Sequence, residues 1–72
     1  MDISEKEKEF FECLKKVDVN SIWGVAISNV VNDPDVPRFR RLVCDLKSQA
    51  HDSKEIMTNI LGQECFDNLV NL

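Results

Sequence analysis

The sequence has few of the residues on which catalytic motifs depend. Its 72 residues include one histidine, no tyrosine and only two glycines. Gly24 and Gly62 lie far apart in the chain, which excludes a glycine-rich phosphate-binding loop. A nucleophilic site needs a base beside the nucleophile, and His51, the only imidazole, has no orienting partner at a recognisable spacing. We therefore expect no enzymatic activity, no cofactor and no small-molecule substrate.

The cysteines also lack the close pairing of known site types. Cys13, Cys44, Cys65 and His51 are scattered, and no two of them are closer than seven positions. Structural zinc sites usually contain close pairs such as C-x2-C, so we expect no bound metal. Three widely spaced cysteines do not form a disulfide framework. The sequence instead predicts reduced, mostly buried thiols.

Signals for export and for membrane insertion are absent as well. The longest uncharged run, residues 19–32, is shorter than the roughly 18 to 20 apolar residues that span a membrane. The first nine residues are acidic and polar, which is typical of neither a secretory signal nor a transit peptide. These features predict a cytoplasmic protein without a membrane partner.

The composition is that of a folded domain. Hydrophobic residues make up 43% of the chain and charged residues 31%, which argues against intrinsic disorder. No linker or repeat divides the sequence, so residues 1–72 are expected to form a single helical domain. The net charge of −4 disfavours generic binding to a phosphate backbone.

Capping residues and apolar spacing predict the helices. Ser4 and Glu7 fit a capping box at the start of a helix over residues 5–16. Residues 20–31 are rich in β-branched side chains, but their apolar rows recur every four residues, which favours a helix capped by Asn20 or Ser21. The rows Ile22, Ala26, Val30 and Trp23, Ile27, Val31 are both expected to face inward.

The second half of the chain contains the clearest boundaries. The Asp33-Pro34-Asp35-Val36-Pro37 segment predicts a break and then a helix over 36–50, capped by Asp33 or Asp35. Asp52 and Glu55 fit a second capping box before a helix over 53–61. Gly62 is expected to end that helix in a left-handed conformation, ahead of a short helix over 63–70.

Short connections between helices favour antiparallel neighbours. The predicted fold class is therefore all-α, a compact antiparallel bundle of four helices. In the alternative form the last helix is broken at Gly62 into a short fifth.

A surplus of large apolar side chains suggests a function that works by contact. A bundle this small has difficulty covering all of its aromatic residues, and an uncovered stripe would dock a protein partner or a second copy of the chain. We predict an adaptor, chaperone-like binder or inhibitor, and an oligomer as its simplest form. The residues expected on the docking face are Phe11, Trp23, Ile27, Phe39 and Phe66.

Two alternatives involve nucleic acid. Arg38, Arg40 and Arg41, with Lys47, form the main basic concentration and could contact a phosphate backbone. The acidic segment at the start of the sequence could instead mimic a nucleic-acid strand. Its carboxylates belong to Asp2, Glu5, Glu7, Glu9 and Glu12. In both cases the competing interpretation is an ordinary solvated helix face.

Overall fold

Helices account for most of the residues that the structure describes. The computed structural model describes residues 2–18 and 20–72. In these two ranges the chain forms five helices, and no strand occurs. They are α1 (Glu5–Leu14), α2 (Gly24–Asn32), α3 (Val36–Asp52), α4 (Lys54–Leu61) and α5 (Gln63–Val70). The all-α prediction is confirmed, and Gly62 does separate a fourth helix from a fifth.

The start of α1 is formed by the predicted capping box. The Glu7 backbone N–H donates to Ser4 Oγ (3.2 Å), and the Ser4 N–H donates to Glu7 Oε1 (3.0 Å). These bonds satisfy donors that a helix start leaves free. The helix ends at Leu14, two residues earlier than predicted. The backbone hydrogen bonds that follow join residues three apart instead of four. The N–H of Val17, for example, donates to the Leu14 carbonyl.

The predicted helix over 20–31 is wrong at its start, since α2 begins at Gly24. Asp18 accepts a hydrogen bond from the Asn20 N–H through its side chain and from the Ser21 N–H through its carbonyl. These bonds hold the chain in a turn, and neither Asn20 nor Ser21 caps the helix. The N-cap is Trp23, which makes no side-chain capping bond. Val19, which separates the first two predicted helices, lies outside the described residues.

The boundary between α3 and α4 differs by a few residues from the prediction. Asp35 occupies the N-cap position of α3, without a side-chain capping bond, and the helix continues to Asp52. The predicted capping box of Asp52 with Glu55 is not formed, because Asp52 still belongs to α3. Ser53 caps α4 instead, and its hydroxyl accepts a hydrogen bond from the Ile56 N–H (3.3 Å).

Gly62 joins α4 to α5 as a single residue. Its φ of 86° lies in the left-handed region, as predicted, although its ψ of 158° is extended. Side chains other than hydrogen are strained in this combination even where space is open. Among the residues that the structure describes, no atom outside the local backbone lies within 4 Å of the position a Cβ would take. Backbone conformation therefore accounts for glycine at this position.

The core lies where α3 meets the other helices. Phe39 is fully buried, and its ring centroid lies 6.3 Å from that of Phe10 and 5.8 Å from that of Phe11. Helix α3 contacts α2, α4 and α5, while α1 contacts α2 and α5. Within the described ranges the buried apolar residues are Phe10, Phe11, Leu14, Val17, Ile27, Val30, Phe39, Leu42, Leu46, Met57, Leu61, Cys65, Phe66 and Leu69.

A disulfide between Cys13 and Cys65 corrects the prediction of reduced thiols. Helices α1 and α5 pack side by side and bring the two Cα atoms to 5.6 Å, inside the roughly 4.4 to 6.8 Å range of native disulfides. The pairing could not be predicted from the sequence, because the two cysteines are 52 residues apart and only tertiary packing brings them together. Cys44 is a free and exposed thiol.

This disulfide bears on the predicted cytoplasmic location. Disulfides persist in oxidising environments and are rare in the cytosol. Cysteine usage therefore no longer supports the cytosol, and the location stays a prediction. None of the helices in the two described ranges has both the length and the apolar character that crossing a membrane requires.

Candidate interaction surface

Among the described residues, the most exposed large apolar side chains lie at the start of helix α2. Ile22, just before the helix, is 87% exposed, and Val25 in its first turn is 73% exposed. Ala26 is exposed beside them, and Trp23 is partly buried. Residues 20–32 contain no charged side chain. We call Ile22, Trp23, Val25 and Ala26 the α2 face.

The turn that precedes α2 explains why this surface is uncovered. Because helical geometry begins only at Gly24, Ile22 is not held in register with Val30, which is buried. The prediction that Ile22, Ala26 and Val30 form one inward row is therefore wrong. In the second predicted row, Ile27 is buried while Trp23 and Val31 are partly buried and pack against the core.

A shallow groove of about 240 Å³ borders the α2 face on the side of α3. Ala26 and Val30 from α2 and Leu42 from α3 form its apolar part. Arg38 and Arg41 line the same groove. Asn29 and Asp45 line it as well, so the apolar strip lies beside polar groups and charges of both signs. Such a strip suits a partner surface with an apolar centre and a polar edge.

Four of the five residues predicted for a docking face lie in the core. Phe39 is 0% exposed and Ile27 is 1% exposed, while Phe11 and Phe66 are also buried. Only Trp23 reaches the surface. Aromatic residues on the apolar side of a helix pack inward first, because each buries a large area. The candidate face therefore shifts from these side chains to the exposed aliphatic residues of α2.

The other large aliphatic residues that are exposed in the described part of the chain lie on separate helices. Ile56 of α4 is 47% exposed and Val70 of α5 is 54% exposed. Single exposed apolar side chains are common on soluble proteins and indicate no site by themselves. The α2 face differs because its apolar residues are adjacent and no charge interrupts them.

The basic residues of the nucleic-acid alternative are largely engaged within the chain. Arg38 forms an ion pair with Asp33 (3.2 Å), and Arg40 forms one with Glu7 (3.2 Å). Lys47 Nζ donates to the Leu72 backbone oxygen (2.7 Å). These contacts reduce the positive charge that the cluster offers to a phosphate backbone.

Glu7 links the capping box of α1 to helix α3. The Ser4 backbone N–H, and then the Arg40 side chain, donate to its carboxylate and hold the pKa of Glu7 below its usual value. A carboxyl group with a lowered folded-state pKa contributes stability above its unfolded pKa of about 4.3. That contribution is lost as the pH falls through the folded-state value.

We expect Glu7→Gln to remove this pH dependence while keeping the capping bond, since glutamine also serves in capping boxes. At pH 7 the variant should be less stable by up to about 1 kcal/mol. The loss is no larger because Arg40 is largely exposed, and exposed ion pairs contribute little to stability. Urea denaturation at pH 7, 4 and 3 should show the difference shrinking toward zero at low pH. Glu9→Gln, an exposed change on the same helix, is the control. A gap that is constant with pH would contradict the role assigned to Glu7.

The acidic residues of the proposed nucleic-acid mimic do not behave alike. The Glu7 side chain is only 18% exposed because it binds Ser4 and Arg40. The remaining members, Asp2, Glu5, Glu9 and Glu12, are exposed. Glu5 pairs with Lys8 (3.7 Å) and Glu12 pairs with Lys15 (3.1 Å).

His51 lies in the last turn of α3, because the helix continues two residues beyond the predicted end at residue 50. A positive charge is favourable there because the helix dipole is negative at that end. Within the two described ranges, no three side chains of the cysteine, histidine and acidic types are grouped so as to hold a metal ion.

Comparisons with protein-family models, with curated proteins and with solved structures found no match to this chain.

Proposed function

We propose that this chain is a small non-enzymatic interaction protein that docks a protein partner through the α2 face. The supporting observation is that Ile22 and Val25 are 87% and 73% exposed within a segment that has no charged residue. Burying such a side chain fully contributes about 1.5 to 3 kcal/mol. Adjacent exposed apolar residues are typical of docking surfaces.

The simplest partner is a second copy of the chain. Each copy carries a net charge of −4, so most approaches of two copies bring like charges together. Residues 20–32 are the exception, because they carry no charge. Two α2 faces can meet around a twofold axis with this uncharged segment at the centre of the contact, as in the common isologous dimer.

The size of the surface sets how far this interface must extend. A standard interface buries roughly 800 Å² on each partner, whereas α2 has nine residues and is only about 13 Å long. The proposed interface therefore includes the groove between α2 and α3, with Arg38 and Arg41 at its edge. Such a dimer is expected to be weak and concentration-dependent.

The antiparallel bundle forms part of the same proposal. Contacts between the consecutive helices α3 and α4, and between α4 and α5, support it. The joints at Ser53 and Gly62 are single residues, which favour a reversal of direction. In this arrangement α2 lies at the edge of the bundle with its outer side uncovered.

The test compares the α2 face with the less exposed aliphatic residues Ile56 and Val70 on other helices. We expect the wild-type chain to show a mass above 8.3 kDa in size-exclusion chromatography with light scattering at tens to hundreds of micromolar. The Ile22→Glu/Val25→Glu variant should return to the monomer mass, because a carboxylate in an apolar interface is costly. The matched control, Ile56→Glu/Val70→Glu, should associate like the wild type.

A wild-type chain that stays monomeric throughout this range would reject self-association. Equal loss of association in both variants would show that net charge, rather than the α2 face, controls the mass. The nucleic-acid alternative predicts a salt-dependent mobility shift that weakens when Arg38, Arg40 and Arg41 become alanine. No contact among the described residues favours that alternative over the α2 face.

A further inference from the structure

The two cysteines of the disulfide differ in their exposure to solvent. Cys65 is 1% exposed and packs in the core, whereas Cys13 is partly buried. Cys13 also lines a surface groove of about 360 Å³ between α1 and α5. A small thiol entering this groove therefore meets Cys13 before it meets Cys65.

The groove is lined by ionisable side chains as well as by the disulfide. Lys8 and Lys16 face it from the side of α1, together with Glu9 and Glu12, and Glu64 faces it from α5. The carboxylates outnumber the ammonium groups by three to two. Since the attacking species in thiol exchange is an anionic thiolate, this lining slows its approach but leaves the path open.

We propose that Cys13 is a thiol–disulfide exchange site at which small thiols or dithiols reduce the Cys13–Cys65 disulfide. This disulfide is the covalent clamp between α1 and α5. The thiolate attacks Cys13 Sγ and forms a mixed disulfide, while the S–S bond breaks and the Cys65 thiolate leaves and takes up a proton. A second thiol group of the reductant then attacks the mixed disulfide and frees Cys13 as a thiol. The reductant becomes a disulfide, and the protein gains two electrons and two protons.

This inference is independent of the α2 face, which belongs to a different part of the molecule. Opening the clamp removes the covalent link that holds α1 against α5. From the length of chain that the link encloses, reduction is expected to lower the melting temperature by about 15 to 30 °C. The domain thereby becomes sensitive to the thiol balance of its surroundings.

The first experiment counts thiols and locates the attack. Native protein treated with iodoacetamide in denaturant, without reductant, should be labelled once, at Cys44. In a Cys44→Ser background, brief exposure to 2-mercaptoethanol followed by acid quenching and peptide mapping should place the early adduct on Cys13 at least tenfold more often than on Cys65. Labelling of all three cysteines, or an early adduct mainly on Cys65, would overturn the proposal.

A second experiment tests the groove without disrupting the fold. Glu64→Gln removes one negative charge beside the path of the thiolate and should speed reduction by dithiothreitol about two- to threefold at low salt. Glu55→Gln, on α4 and outside the groove, should leave the rate unchanged. Equal rates for both variants, or reduction only after global unfolding, would reject entry through the groove.

Discussion

Replacing both Cys13 and Cys65 by alanine is expected to lower the free energy of unfolding by about 4 kcal/mol. The disulfide joins residues 52 positions apart. A cross-link lowers the entropy of the unfolded chain more when the loop that it closes is longer, so the stabilisation here lies between the values for short loops and for 100-residue loops. A domain of 72 residues has roughly 4 to 11 kcal/mol in total. The double variant therefore loses a large part of its stability.

Urea denaturation of the oxidised wild type and of the double variant measures this difference. Cys44→Ala is the matched control, because it removes an exposed thiol that is not bonded, and it should change stability by less than about 0.5 kcal/mol. If the double variant unfolds at the same urea concentration as the wild type, the disulfide does not act as a clamp. The wild type with added reductant should resemble the double variant.

Phe39→Ala is expected to cost about 3 to 5 kcal/mol, the usual range for removing a buried aromatic ring. Phe39 is fully buried, and its ring meets those of Phe10 and Phe11. Its loss leaves a cavity where α1 and α3 meet, and it removes aromatic contacts beyond the buried area itself. Thermal and urea unfolding should both shift strongly.

Two further variants show whether Phe39 acts in the core or on a docking surface. Phe39→Leu keeps most of the buried volume and should cost markedly less than Phe39→Ala. Ile22→Ala removes an exposed side chain and should leave monomer stability within about 0.5 kcal/mol of the wild type. A small effect of Phe39→Ala on stability, with a large effect on association, would return Phe39 to the interface.

Local chemistry made several helix boundaries predictable. The Ser4 and Glu7 pair and Gly62 each act through bonds or dihedral angles within a few residues, so the printed sequence contains the whole signal. The start of α2 was missed for a related reason. Asp18 competes for the N–H groups of Asn20 and Ser21, and a bond of this kind favours a turn over a helix cap.

The interaction surface was harder to predict than the fold class. Apolar spacing identified Phe11, Ile27, Phe39 and Phe66, but the same spacing describes residues that the core buries. Which row of a helix stays outside depends on its neighbours, and this information is not local. The sequence feature that marks this surface is the uncharged segment, residues 20–32, in which Ile22 is exposed to solvent.

The disulfide depends on tertiary packing in the same way. Cys13 lies three residues after the buried Phe10, and Cys65 lies four before the buried Leu69, so each cysteine lies beside a buried residue of its helix. That pattern indicates only that both cysteines face inward. Their pairing required the knowledge that α1 packs against α5.

The covalent link also makes the oxidised chain a closed ring from residue 13 to residue 65, with α2, α3 and α4 inside it. A protease that cuts one peptide bond within this ring separates no fragment, because the two pieces remain tethered through sulfur. Oxidised protein therefore withstands a single nick with its mass nearly unchanged, whereas the reduced chain falls apart into two.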